Sequence, residues 1–177
     1  STREALKELI DRLRDLVRRI RDKHRKLLEE IKRVLDESER RHRELIKRVE
    51  ELLRDLARRV SEDILRELKR VLEELTKLSK KNIDDIRDVV RRLEELLRDN
   101  IRRIDEVLKR IRELAERGGE DVETIIRRAE EALKRLEDSS RKVEETIRKV
   151  LEDLRRSSEE VAERVRRVLE RLEEKAQ

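Results

Sequence analysis

Three kinds of polar side chain recur in this chain at intervals of 18 residues. They are His24 and His42, Asn82 and Asn100, and the serine pairs Ser139-Ser140 and Ser157-Ser158. Eighteen residues make five turns of an α-helix, so the second member of each pair returns to the helix face of the first. These residues therefore predict two layers of polar side chains inside a helical protein.

Hydrogen bonding is the chemistry that suits such layers. A neutral imidazole has one donor and one acceptor, and amides and hydroxyls can pair with either. Serine and histidine are also the components of a nucleophilic site, but the core of a narrow bundle lacks an oxyanion donor and a substrate pocket. His24 and His42 would lie about 27 Å apart along one helix and cannot share a metal ion. We therefore expect no enzyme activity, no metal and no cofactor.

An apolar stripe of the same period predicts the helices that position the layers. In the first third of the chain, the residues expected to face a core follow steps of 3, 4, 3, 4 and 4. They are Leu6, Leu9, Leu13, Leu16, Ile20, His24, Leu27, Ile31, Val34, Ser38, His42, Leu45, Val49, Leu52 and Leu56. A strict heptad would give a left-handed supercoil, whereas steps that average 3.6 keep a helix straight.

The rest of the chain contains the 18-residue unit in visible form. Residues 82–99 (NIDDIRDVVRRLEELLRD) are followed by the related unit 100–117 (NIRRIDEVLKRIRELAER). Residues 139–156 (SSRKVEETIRKVLEDLRR) are followed in the same way by 157–174 (SSEEVAERVRRVLERLEE). A repeat shorter than the 20–50 residues of solenoid units indicates layers within helices.

Local signals divide the chain into three helices. Gly118-Gly119 is a strong helix stop, and Ser61 offers an N-cap after a second break. Ser1 with Glu4 forms a capping box at the start. We predict helices at about 2–59, 62–117 and 120–175, each of about 57 residues.

These helices define the predicted fold. A single helix over residues 1–117 is the alternative, but it would be about 175 Å long and would lack a partner of matching length. We therefore predict an all-α fold in which residues 1–177 form one domain. This domain is an elongated, antiparallel, up-down-up bundle of three straight helices.

The antiparallel arrangement predicts which polar residues meet. The two sets are His24 with Asn100 and Ser140, and His42 with Asn82 and Ser158. Ser139 and Ser157 complete the predicted network, and Ser38 and Ser79 extend the second set. A buried polar group without a partner costs about 1–3 kcal/mol, so the layers penalise shifted helices. This pattern indicates a structural scaffold whose layers set helix register and specificity, as a buried asparagine does in coiled coils.

The composition excludes several functional classes. Charged residues make up 55% of the 177 residues, and the chain has no aromatic residue, cysteine or proline. It therefore has no disulfide or thiolate chemistry, and no apolar run approaches the about 18 residues of a membrane span. The net charge of +5 leaves weak basic-surface association with nucleic acid or membranes as an alternative, without aromatic stacking. We expect a monomer that requires no partner, with no targeting signal to indicate its localisation.

The chain resembles a known family, the computationally designed parametric helical bundles with buried hydrogen-bond networks. The resemblance rests on the untwisted 18-residue layers, the Leu/Ile/Val core and the Glu/Lys/Arg/Asp surface, and it covers the whole chain. It implies a designed scaffold without a natural biochemical function. A natural spectrin-like rod is an alternative, although such rods usually carry core aromatics.

Histidine in such networks implies a further alternative, a bundle that responds to pH. Members of the family with buried histidines were designed to respond to acid, and His24 and His42 match that pattern. Burial disfavours the imidazolium, and protonation turns an acceptor nitrogen into a donor. We therefore expect protonation of the two histidines to destabilise the bundle, without separating helices that one chain holds together.

Overall fold

The computed structural model describes residues 2–117 and 121–176, which form three long helices. Helix α1 spans Thr2–Leu56, α2 spans Glu62–Arg117 and α3 spans Val122–Ala176. The helices are 55 or 56 residues long and pack against one another in a bundle. Neither described range contains a strand. The predicted all-α three-helix bundle is therefore confirmed.

The break between α1 and α2 has a local cause. Helix α1 ends at Leu56, three residues before the predicted end, where the N–H of Arg59 donates to the Leu56 carbonyl at 2.9 Å. This tighter bond closes the last turn. Ser61 then caps α2, because its Oγ accepts a bond from the N–H of Ile64 at 3.4 Å and its carbonyl accepts one from Leu65 at 3.0 Å.

The start of α3 is set by Asp121. Its carbonyl accepts a hydrogen bond from the N–H of Ile125 at 3.1 Å, so the helix begins at Val122, two residues after the predicted start. Two predicted signals, the Gly118-Gly119 stop and Ser1 of the capping box, lie outside the described residues. Helix α2 nevertheless ends at residue 117, as the glycine pair predicts.

The helices contribute to two compact units. The first comprises Ser1–Glu30 and Arg92–Lys149, and the second comprises Ile31–Arg91 and Val150–Gln177. The buried apolar cluster of the first is formed by Leu9, Leu13, Leu16, Val17, Ile20, Ile104, Leu108, Ile111, Ala129 and Leu136. That of the second is formed by Val49, Leu53, Leu56, Leu75, Val165, Leu169 and Leu172. Aliphatic side chains from all three helices thus form an apolar cluster in each unit.

Contacts between helices give their directions within each unit. In the first unit Arg21 pairs with Asp105 and His24 with Asn100, so positions rise along α1 as they fall along α2. These two helices are therefore antiparallel. In the second unit two ion pairs join α1 to α3, Arg41 with Glu159 and Arg48 with Glu173, so positions rise along both helices together. Helices α1 and α3 are therefore parallel, as predicted.

Candidate functional site: two buried histidine clusters

The first histidine cluster lies in the first compact unit and contains His24 of α1 and Asn100 of α2. Their exposed fractions are 4% and 7%, and Nδ2 of Asn100 lies 2.8 Å from Nε2 of His24. An amide nitrogen only donates, so Nε2 is the acceptor and the proton of the neutral ring is on Nδ1. The predicted pairing of these two residues across α1 and α2 is confirmed.

The surroundings of His24 disfavour its charged form. Desolvation by burial is the largest influence and lowers the pKa of His24 below its ordinary value of 6.5. The backbone carbonyl of Ile20, one turn earlier, and the carboxylate of Glu144 act in the opposite direction but are weaker. Nδ1 forms no hydrogen bond of normal geometry with the described residues. The bond to Asn100 is therefore the only hydrogen bond of normal geometry that the His24 ring makes with the described residues.

The serines predicted to join this cluster behave differently. Ser140 is buried, with 3% of its surface exposed, but its hydroxyl makes no hydrogen bond within residues 2–117 and 121–176. Ser139 is exposed, and its predicted place in the buried network is wrong. Successive residues of a helix are rotated by about 100°, so only one of two adjacent serines can face the core at this position.

The second histidine cluster lies in the second compact unit, around His42. This residue is 1% exposed, and its Nε2 lies 3.0 Å from the backbone oxygen of Ser158 and 3.3 Å from the Ser158 hydroxyl. A carbonyl oxygen only accepts, so Nε2 carries the proton. Nδ1 then accepts a hydrogen bond from the hydroxyl of Ser79 at 3.2 Å. The two histidines are thus held in opposite tautomers.

Asn82 does not bond to His42, and this part of the prediction is wrong. Its Nδ2 donates instead to the hydroxyl of Ser157 at 3.1 Å, and Ser157 donates to the Leu154 carbonyl at 3.3 Å. Asn82 and Ser157 are only half-buried, so they form a separate α2–α3 contact nearer the surface. Ser79, one turn earlier on α2, faces the core and takes the place expected for Asn82.

Ser79 was predicted only as an extension of this set, and the 18-residue repeat gives it no polar counterpart. The equivalent position in the next unit is Leu97, which is buried. Ser38, the other predicted extension, is buried, but no hydrogen bond links it to the described members of the cluster. The spacing of Ser79 along the helix predicts that it faces the core. Its hydrogen bond to His42 could not be predicted, because that bond depends on how far the two side chains reach.

The described residues contain no group of three or more His, Asp or Glu side chains placed to hold a metal ion. No described helix is both long and apolar enough to cross a membrane. Comparisons of the chain with protein-family models, curated proteins and solved structures find no match.

Proposed function

We propose that this chain is a structural scaffold of the designed-bundle kind, in which the histidine clusters select one register of the helices and no reaction is catalysed. One observation carries the proposal. A buried amide donates to a buried imidazole across two helices, at 2.8 Å between Asn100 and His24. Such a bond is available only when the two helices are aligned at this height.

Energetics favour a role in specificity over a role in stability. A matched hydrogen bond contributes only about 0.5–1.5 kcal/mol net, whereas a buried group that loses its partner costs about 1–3 kcal/mol. Sliding α1 along α2 by one turn would move the partners by about 5.4 Å and leave both unpaired. The clusters therefore disfavour wrong registers more strongly than they stabilise the right one.

The same geometry argues against catalysis. The hydroxyl of Ser79 donates to His42, which is the first requirement of a serine nucleophile. Both side chains, however, are buried in the middle of long helices. The backbone N–H groups there are engaged with carbonyls four residues earlier, so none is free to stabilise an oxyanion.

The proposal is tested by removing one cluster and measuring register directly. His24 and Asn100 are both replaced by leucine, and spin labels are attached at Arg19→Cys and Arg103→Cys, two exposed positions of the first unit. The chain has no cysteine of its own, so labelling is confined to these sites. Pulsed electron resonance then gives the distribution of distances between α1 and α2.

We expect a narrow distribution for the labelled chain with its cluster intact. The variant without the cluster should keep its helix content and give a broader distribution, with a component displaced by about one helical turn, 5.4 Å. A distribution that is unchanged by the two leucines would refute a role in register. Loss of helix content would show instead that the cluster is needed for folding itself, which also contradicts the proposal.

A response to acid is a second candidate function, and the buried ring of His24 favours it. Burial lowers the pKa of His24 in the folded chain, whereas the unfolded chain keeps the ordinary value of 6.5. Between these two values the unfolded chain binds more protons, so acidification through this window destabilises the fold. The His24 contribution is fully present above pH 6.5 and fully lost below the folded pKa.

Protonation of His24 should disrupt the first cluster. A protonated His24 would present Nε2–H to the amide nitrogen of Asn100, so the bond is lost unless the amide turns over and offers its oxygen. Acid sensitivity is therefore expected at the first cluster.

A further inference from the structure

A strongly basic groove runs between α1 and α2 in the first compact unit, and none of its lining residues belongs to either histidine cluster. It has a volume of about 530 Å³ and a floor formed by Val17 and Leu108. Five cationic side chains and one carboxylate line it: Arg14, Arg18, Arg21, Lys109, Arg112 and Asp105. We name these residues, with the two floor residues, the basic groove.

Three other grooves in the chain show that this imbalance is unusual. The groove beside Ser38 and Ser158 has three cations and three carboxylates, and so does the groove beside Leu78 and Val161. The groove beside His42 has four cations and three carboxylates. The basic groove therefore has an excess of four positive charges, whereas the three other grooves have an excess of one or none.

Four of the five cations in the basic groove have no ion-pair partner among the described residues. Arg21 is paired with Asp105, but no ion pair joins Arg14, Arg18, Lys109 or Arg112 to a carboxylate of the described residues. Unpaired guanidinium groups offer two parallel N–H donors that match two oxygens of a phosphate. A floor of buried aliphatic carbon lowers the local dielectric and strengthens the attraction for an anion.

We propose that the basic groove binds condensed phosphate, a short run of linked phosphate groups as in inorganic tripolyphosphate or the triphosphate of a nucleotide. Each phosphate of such a chain would meet a guanidinium or the ammonium of Lys109. The chain has no aromatic residue to stack on a base, so the phosphates alone are recognised. The basic groove is lined by only eight residues, which suits a short ligand better than a long nucleic acid.

Calorimetric titration with tripolyphosphate and with ATP, at neutral pH and low salt, tests the proposal. The test variant is Arg18→Gln with Arg112→Gln. The control is Arg40→Gln with Arg155→Gln, which removes the same charge from a balanced groove. All are exposed residues, and helix content is compared by circular dichroism before titration.

We expect both ligands to bind, with affinity that falls as salt is added. The test variant should lose about tenfold or more in affinity, and the control about twofold or less. Asp105→Asn should bind more tightly, because it removes the only carboxylate among the groove-lining residues and releases Arg21. Equal losses of affinity in the test and control variants would overturn the proposal, because they would show that binding depends only on the net charge of the chain. Binding of ATP alone, or of single-stranded nucleic acid but not tripolyphosphate, would also overturn it.

Discussion

Replacement of Asn100 by leucine should expose the energetic role of the first histidine cluster. The variant leaves Nε2 of His24 buried, at 4% exposure of the residue, without its donor at 2.8 Å. An unsatisfied buried acceptor costs about 1–3 kcal/mol. His24→Leu leaves the amide of Asn100 unpaired in the same way. The variant with both leucines leaves neither group unpaired and adds apolar surface to the core.

The double-mutant cycle isolates this cost. We expect the double variant to be at least as stable as the parent chain, and each single variant to be less stable than the double by about 1–3 kcal/mol. Guanidinium unfolding followed by circular dichroism, above the ordinary histidine pKa, gives the four free energies of unfolding. The exposed pair Asp22 and Arg25, 3.4 Å apart, is the control and should couple by less than about 0.5 kcal/mol. A single leucine variant as stable as the double would refute the reasoning.

Three further results are expected. His24→Asn should reduce the loss of stability between pH 6.5 and pH 4, because the group with the lowered pKa is gone. The loss is measured as the change in denaturant midpoint between the two pH values. If the variant keeps the same pH dependence, groups other than His24 cause that dependence. Ser79→Ala should lower the free energy of unfolding by about 1–2 kcal/mol, because Nδ1 of His42 loses its hydrogen-bond donor. The control Ser139→Ala, at an exposed position, should lower it by less than about 0.5 kcal/mol. Equal effects of the two variants would contradict the hydrogen bond between Ser79 and His42. Ile104→Ala, at a position that is 0% exposed, should lower the free energy of unfolding by about 2–5 kcal/mol. Leu96→Ala, at a position that is 37% exposed, should lower it much less. Similar losses would contradict the placement of Ile104 in the apolar core.

Periodicity predicts the fold because it reports which face of each helix is apolar. The steps that placed Leu13, Ile31 and Val49 in the core are confirmed, since all three are buried. The same phase predicted burial of both histidines and of Asn100. These outcomes depend only on the rotation per residue of a helix, which the sequence contains in full.

Pairing within the clusters depends on finer geometry than periodicity provides. Asn82 and Asn100 occupy equivalent positions of the 18-residue unit, yet only Asn100 is buried and bonded to a histidine. Whether an amide reaches an imidazole is decided by helix spacing and side-chain rotamers. Ser157 and Ser139 also occupy equivalent positions, yet Ser157 is half-buried and Ser139 is exposed. A repeat in sequence therefore does not require a repeat of contacts.

The ends of the helices were also predicted only in part from the sequence. Ser61 was predicted as an N-cap from its residue type and the acids that follow, and its hydroxyl accepts the N–H of Ile64. The end of α1 at Leu56 was placed three residues late, because no glycine or proline marks it in the sequence. The basic groove was likewise not predicted, since it arises from residues of two helices that are far apart in sequence.

Long-range proton–nitrogen correlation of histidine-labelled protein at neutral pH tests the central claim most directly, because it reports which ring nitrogen carries the proton. We predict opposite tautomers in the two clusters. The proton is on Nδ1 in His24, where Nε2 accepts from Asn100, and on Nε2 in His42, where Nε2 donates to the Ser158 carbonyl. The unfolded chain should give one averaged pattern for both rings. Two rings in the same tautomer, or two rings that average as in the unfolded chain, would contradict the account.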